Sequence, residues 1–127
     1  MRRDALYLAD IVEAADAVAE FVQGLRKETF IGHKMARSAV LQQLTVIGEA
    51  AARLSREFRN RHSDVEWPDI VAFRNIAVHA YFSVDWATAW VAATGDAPAL
   101  REKVVAILAT EFPDVRLPDG PGQVQEG

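Results

Sequence analysis

Nine consecutive residues, Phe73-Arg74-Asn75-Ile76-Ala77-Val78-His79-Ala80-Tyr81, set four side chains capable of chemistry into an otherwise apolar stretch. On a helix, Asn75 and His79 are four apart and lie nearly one above the other. Arg74 and Tyr81 are seven apart, about two turns, and share another line. Arg74 and His79 are separated by about 140° around the axis. One straight helix therefore does not aim both at a single atom. A site using both needs reach by the arginine, a bend, or a second copy of the helix across a dimer axis.

The chemistry these residue types support is phosphoryl transfer within RNA. Histidine titrates near neutral pH and takes or gives a proton. Arginine stays charged and holds a phosphate through parallel hydrogen bonds as negative charge builds. Asn75 is placed to orient the histidine or the substrate. RNA supplies its own nucleophile, the 2′-hydroxyl, so the reaction requires neither a metal nor a protein nucleophile. The spacing alone is a weak signal, and taken by itself it favours a buried histidine and tyrosine satisfied by Asn75 and backbone groups.

Other chemistries find less support. The chain has 3 histidines, His33, His62 and His79, and none lies in a zinc-binding pair or beside clustered carboxylates. With Cys 0, there is no thiolate ligand, cysteine nucleophile or disulfide framework. No serine–histidine–aspartate order and no glycine-rich phosphate loop is apparent, and no cofactor is expected.

The elements that must position these side chains are helical throughout. Leu8, Ile11, Ala15, Val18, Val22 and Leu25 form one apolar stripe, predicting a helix from about Asp4 to Arg26. Gly24 lies near its end, and a linker is expected around Lys27 to His33. Val40, Leu44, Ile47, Ala51, Leu54 and Phe58 make a narrow seam on a second long helix. The two helices are expected to pair as an antiparallel hairpin. Trp67-Pro68-Asp69 reads as the start of a third helix running to about Phe82. Ser83-Val84-Asp85 caps or kinks the chain before a fourth helix carrying Trp86, Trp90 and Val91. Thr94-Gly95-Asp96 is expected to end that helix, and Pro98 to start a fifth with Leu100, Val104, Ile107 and Leu108 on its apolar face. Prolines and glycines from Pro113 onward predict a flexible tail. The expected fold is an all-α bundle of four to five helices over residues 1–112, with a tail at 113–127. The seams are read as core, with part of one available to a subunit interface.

Composition bounds the partners. The 127 residues suit one domain, and 50% hydrophobic with 25% charged residues is the balance of a folded soluble protein. A net charge of -4 argues against a histone-like coat for nucleic acid. The charge is unevenly spread. From Lys34 to Arg61 six basic residues face only Glu49 and Glu57, leaving that segment at +4. Arg53, Arg56, Arg59 and Arg61 come just before the motif helix and are candidates for binding RNA, or else a solvated helix face. The longest uncharged run in the middle of the chain, Ser38 to Gly48, is too short to span a bilayer. Asp10, Glu13 and Asp16 interrupt any apolar leader, so a cytoplasmic location without membrane contact is expected.

Arg74-Asn75, His79 and Tyr81 together resemble the R-x4-H-x-Y signature of the HepT-like toxins of the HEPN superfamily. Ile47-Gly48-Glu49-Ala50 is similar to the I-G-E-A segment of that family's second helix, and Trp67-Pro68-Asp69-Ile70 to its W-x-x-I. Tyr81-Phe82, Val84-Asp85 and Trp90 fit the segment that follows, and the resemblance covers roughly residues 4–112. Ala77 stands where a larger aliphatic residue is expected. The resemblance implies a homodimer of HEPN-like bundles with motif helices face to face, which would answer the angular problem. It implies a metal-independent endoribonuclease acting on tRNA or mRNA, the toxin of a toxin–antitoxin pair. Arg74 and His79 would be catalytic and Asn75 would assist. A nucleotidyltransferase antitoxin of the MNT type would silence it by placing AMP on Tyr81. Glu49 matches a family position and either orients Arg74 or His79 or is an ordinary surface charge. Two other readings stand beside the enzyme: a non-catalytic HEPN subunit that positions a nucleotidyltransferase or binds a nucleotide, and a structural helical adaptor.

Overall fold

The computed structural model describes residues 2–79 and 84–117, with side chains described except at residues 2 and 77–79. The described residues form helices with no strand: α1 (Arg2–Val22), α2 (Lys27–Gly32), α3 (Lys34–Arg53), α4 (Arg56–Arg61), α5 (Trp67–Val71), α6 (Phe73–His79), α7 (Trp86–Val91) and α8 (Ala97–Glu111). The all-α bundle is as expected from the spacing, but it is divided into more and shorter helices than four or five.

The stripe of α1 is buried as its period requires, with Leu8, Ile11, Ala15 and Val18 in the core. The helix ends at Val22 rather than near Arg26. Gly24 adopts φ 78°, a left-handed conformation that closes a helix and that only glycine takes without strain. The expected linker then folds into α2, because Phe30 is fully buried against Trp86 and Trp90, at ring separations of 6.4 and 5.2 Å. Its other end is tied by His33, whose Nδ1 accepts the Ala36 N–H at 3.1 Å and so caps α3.

The second seam is buried from Val40 to Phe58, yet it runs over two helices. Leu54 turns extended at ψ 144°, and Ser55 opens α4 by accepting the Phe58 N–H at 3.1 Å. Asp4, only 3% exposed, fixes this corner. Its carboxylate accepts from the Ser55 N–H at 2.9 Å and from the Ser55 hydroxyl at 2.7 Å. The same contact sets the start of α1 beside the end of α3, so the long helices are antiparallel.

The helix expected from Pro68 to Phe82 is divided at Ala72, where the Asn75 N–H bonds Ala72 O, three residues back instead of four. Residues 80–82 lie outside the described residues. Pro68 stands in the first turn of α5, as predicted, and the Trp67 indole N–H donates to His62 O at 3.0 Å. Asp85 caps α7 through Ala87 and Thr88. Thr94-Gly95-Asp96 does not end the helix. The chain widens into one π turn, Ala92–Asp96, and continues as α8. Pro98 offers no N–H and its ring crowds the carbonyl four residues back, which a widened turn accommodates. Buried Ala92, Ala93 and Ala97 hold this turn against the bundle. Beyond α8, Val115 and Leu117 rest on the core, while residues 118–127 of the expected tail lie outside the described residues.

Candidate active site

Two helices build the site, α3 and α6. They meet at Gly48, whose position is fully enclosed. A Cβ there would stand 2.6 Å from Arg74 N, 2.9 Å from Val71 O and 3.0 Å from Arg74 Cβ. Real side chains do not tolerate such separations, and two of the three atoms are backbone. Glycine alone lets the first turn of α6 lie directly on α3. The next residue of α3, Glu49, then meets the first polar residue of the motif: Arg74 Nη1 is 3.8 Å from Glu49 Oε2. The two side chains are 38% and 48% exposed, so the pair is open to solvent and loose. An exposed ion pair of this kind is worth about 0–1 kcal/mol, and it leaves the guanidinium donors free to engage a phosphate.

Asn75 is exposed beside Arg74. His79 is the last residue of α6; its side chain lies outside the described residues. Tyr81 lies outside them altogether. The structure thus brings Arg74, Asn75 and Glu49 to one place and puts the backbone of His79 at the end of the same helix. The other histidines hold structure. His33 caps α3, and His62 packs its ring on Phe58 at 4.6 Å and bonds Glu111. Among the described residues, no group of His, Asp or Glu is arranged to hold a metal ion.

The basic residues before the motif separate into three settings. Arg53 is exposed and lines a groove of about 410 Å³ between α1 and α3, which Glu49 also lines. Arg56 and Arg59, with Asn60 and Ser63, line a second cleft of about 420 Å³ between α4 and α5. Arg61 belongs to neither. It bonds Glu111 at 2.9 Å and covers the Phe58 ring at 5.5 Å, and the bond to Glu111 raises its pKa further. Glu111 in turn lies below the ordinary carboxylate range, chiefly through Arg61, with burial opposing and His62 adding to the shift.

The role of Gly48 and the groove beside Glu49 escaped the sequence reading. Gly48 had a visible signal, a glycine in the middle of a strong apolar seam, but not a visible reason. Tyr7, Asp10 and Gln42, which line the same groove as Glu49, carried no signal, since polar residues on amphipathic helices look like ordinary surface.

The pattern of the family described as Ribonuclease HepT-like matches residues 11–107. The chain is 37% identical to "Putative RNase MJ1380" of Methanocaldococcus jannaschii, over 77% of this chain and 90% of that one. It is 34% identical to "Probable ribonuclease HepT" of Thermococcus cleftensis, over 76% and 88%. It is 33% identical to "Putative RNase TTE0752" of Caldanaerobacter subterraneus, over 83% and 94%. No solved structure gives a significant match.

Proposed function

The chain belongs to the HepT-like ribonuclease family, and on that premise we propose that it is a metal-independent endoribonuclease whose chemistry is carried by Arg74 and His79. The observation that carries this reading is the setting of Arg74. It stands half-exposed on the first turn of α6, seated on Gly48 and loosely tethered to Glu49, with its donors open to an anion.

In the proposed reaction the RNA 2′-hydroxyl oxygen bonds to the adjacent phosphorus while the bond to the 5′-oxygen breaks. The products are a 2′,3′-cyclic phosphate and a 5′-hydroxyl. One proton leaves the 2′-oxygen and one arrives at the 5′-oxygen, and His79 handles proton transfer at this centre. Arg74 spans the non-bridging oxygens as charge builds on them, and Asn75 holds the substrate beside it. The angle between Arg74 and His79 favours a homodimer in which facing motif helices complete one cleft. Arg53, Arg56 and Arg59 guide the RNA; Arg61, already engaged by Glu111, is left out of that set. In the cell this enzyme is the toxin of a toxin–antitoxin pair, acting on tRNA or mRNA. Its MNT-type nucleotidyltransferase partner silences it by transferring AMP to Tyr81. The added anion next to the cleft repels RNA phosphate.

Expression without the partner should arrest bacterial growth, and the purified protein should cleave RNA in the presence of a chelator. Arg74→Ala and His79→Ala should each lower cleavage by about 10²-fold or more and abolish the arrest. Variants as toxic as the parent would remove this pair from the chemistry, and a parent that neither arrests growth nor cuts RNA would favour the non-catalytic subunit. With the partner and ATP, intact-mass spectrometry should show added AMP on the parent and none on Tyr81→Phe.

A further inference from the structure

The groove between α1 and α3 touches the candidate active site at Glu49, which lines it and also meets Arg74 at 3.8 Å. Its α3 wall is a single stripe, Gln42, Val46, Glu49 and Arg53, about 16 Å from end to end at the helical rise. Its α1 wall carries Tyr7 and Asp10, one turn apart. The volume, about 410 Å³, is in the range of pockets that take small organic ligands, roughly 300–1,000 Å³.

We propose that this groove is a nucleobase subsite, which takes the base next to the cut phosphate and reads it; the proposal rests on the ribonuclease reading above. The charges dictate base rather than phosphate. Asp10 and Glu49 disfavour a phosphate against the part of the groove they line, while Arg53 lines it one turn beyond Glu49 on α3 and Arg74 stands beside Glu49 outside it. A strand whose phosphates follow Arg74 and Arg53 turns its bases toward the groove. There Val46 offers apolar contact and the half-buried Tyr7 offers a ring face for stacking. Asp10 and Gln42 are exposed. Among the described residues neither Asp10 nor Arg53 is in an ion pair, so their charge is available to a ligand. A carboxylate accepts only, so Asp10 selects a base edge with adjacent N–H donors. Guanine presents two, its ring N–H and its 2-amino group, and is the base expected here.

The test separates binding from cleavage. Labelled tetraribonucleotides that vary one base are titrated against the full chain carrying Arg74→Ala, and cut ends are sequenced from a randomised RNA treated with the active protein. The expected results are a guanine preference in both, reduced about tenfold by Asp10→Asn, and affinity weakened about tenfold by Tyr7→Leu. Asp10→Asn is nearly isosteric at an exposed position, and circular dichroism checks that each variant stays helical. Guanine-selective binding that Asp10→Asn erases supports the groove even if the parent cuts nothing, a result that would sink only the ribonuclease reading. Base profile and affinity unchanged in both variants would overturn the subsite, whether or not the parent cleaves RNA.

Discussion

Gly48 decides where Arg74 stands. In the middle of an exposed helix glycine costs about 1 kcal/mol relative to alanine, so an apolar seam that keeps one invites a reason. The reason is backbone proximity: Arg74 N and Val71 O occupy the space a methyl group would fill. A flexible side chain could swing away, but these atoms belong to the turn that joins α5 to α6. Gly48→Ala should therefore destabilise the protein by about 1–3 kcal/mol in urea unfolding, the usual range for overpacking, and should shift Arg74 away from Glu49. Unchanged stability would mean that α6 steps aside freely and that the contact does not position the arginine. The reactive residue types and their helical spacing were legible in the chain itself. The neighbour that seats them was not, because Gly48 and Arg74 are distant in sequence and only packing joins them.

Elements show where local signals are overruled. The seam from Val40 to Phe58 correctly names the buried residues, because the apolar period governs burial whether or not the helix is continuous. It does not show the break at Leu54. That break depends on Ser55 as a cap and on Asp4, which reaches it from 51 positions away. Asp4→Ala would strip the acceptor from the Ser55 N–H and hydroxyl at a partly buried corner. The expected cost is about 1–3 kcal/mol, with faster amide hydrogen exchange in α4 than in the middle of α3. Exchange rising equally throughout would place Asp4 in general stability instead of at this corner. The turn at Ala92–Asp96 is the opposite case. Thr94-Gly95-Asp96 carries stop signals, yet burial of Ala92, Ala93 and Ala97 keeps the chain helical.

At the scale of the whole molecule, polar contacts lock the last helix to the others. Asp16 of α1 bonds Arg101 of α8 at 2.5 Å, and Glu111 at the end of α8 takes both Arg61 and His62 of the α4 end. Because Arg61 lowers the Glu111 carboxyl, with burial opposing, the folded state holds its proton less tightly than the unfolded chain. This contribution is complete above the ordinary carboxylate pKa and is lost as pH falls through the lowered folded value. Urea unfolding of the parent should thus weaken on acidification below about pH 4, and Glu111→Gln should flatten part of that dependence. Identical pH profiles for the two would show that the clasp contributes nothing. The sequence by itself determined the helical class, the apolar faces, the helix start at Pro68, and the side chains available for chemistry. Each of these follows from residues within a turn or two of one another, where spacing and hydrogen bonding are local. Only the tertiary structure decided that α6 rests on Gly48, that α3 ends at Leu54, that Arg61 is engaged while Arg53 opens on a groove, and that Glu49 both lines that groove and meets Arg74. Those outcomes depend on which backbone and which charges meet across long separations, and that is fixed by packing, not by any local pattern.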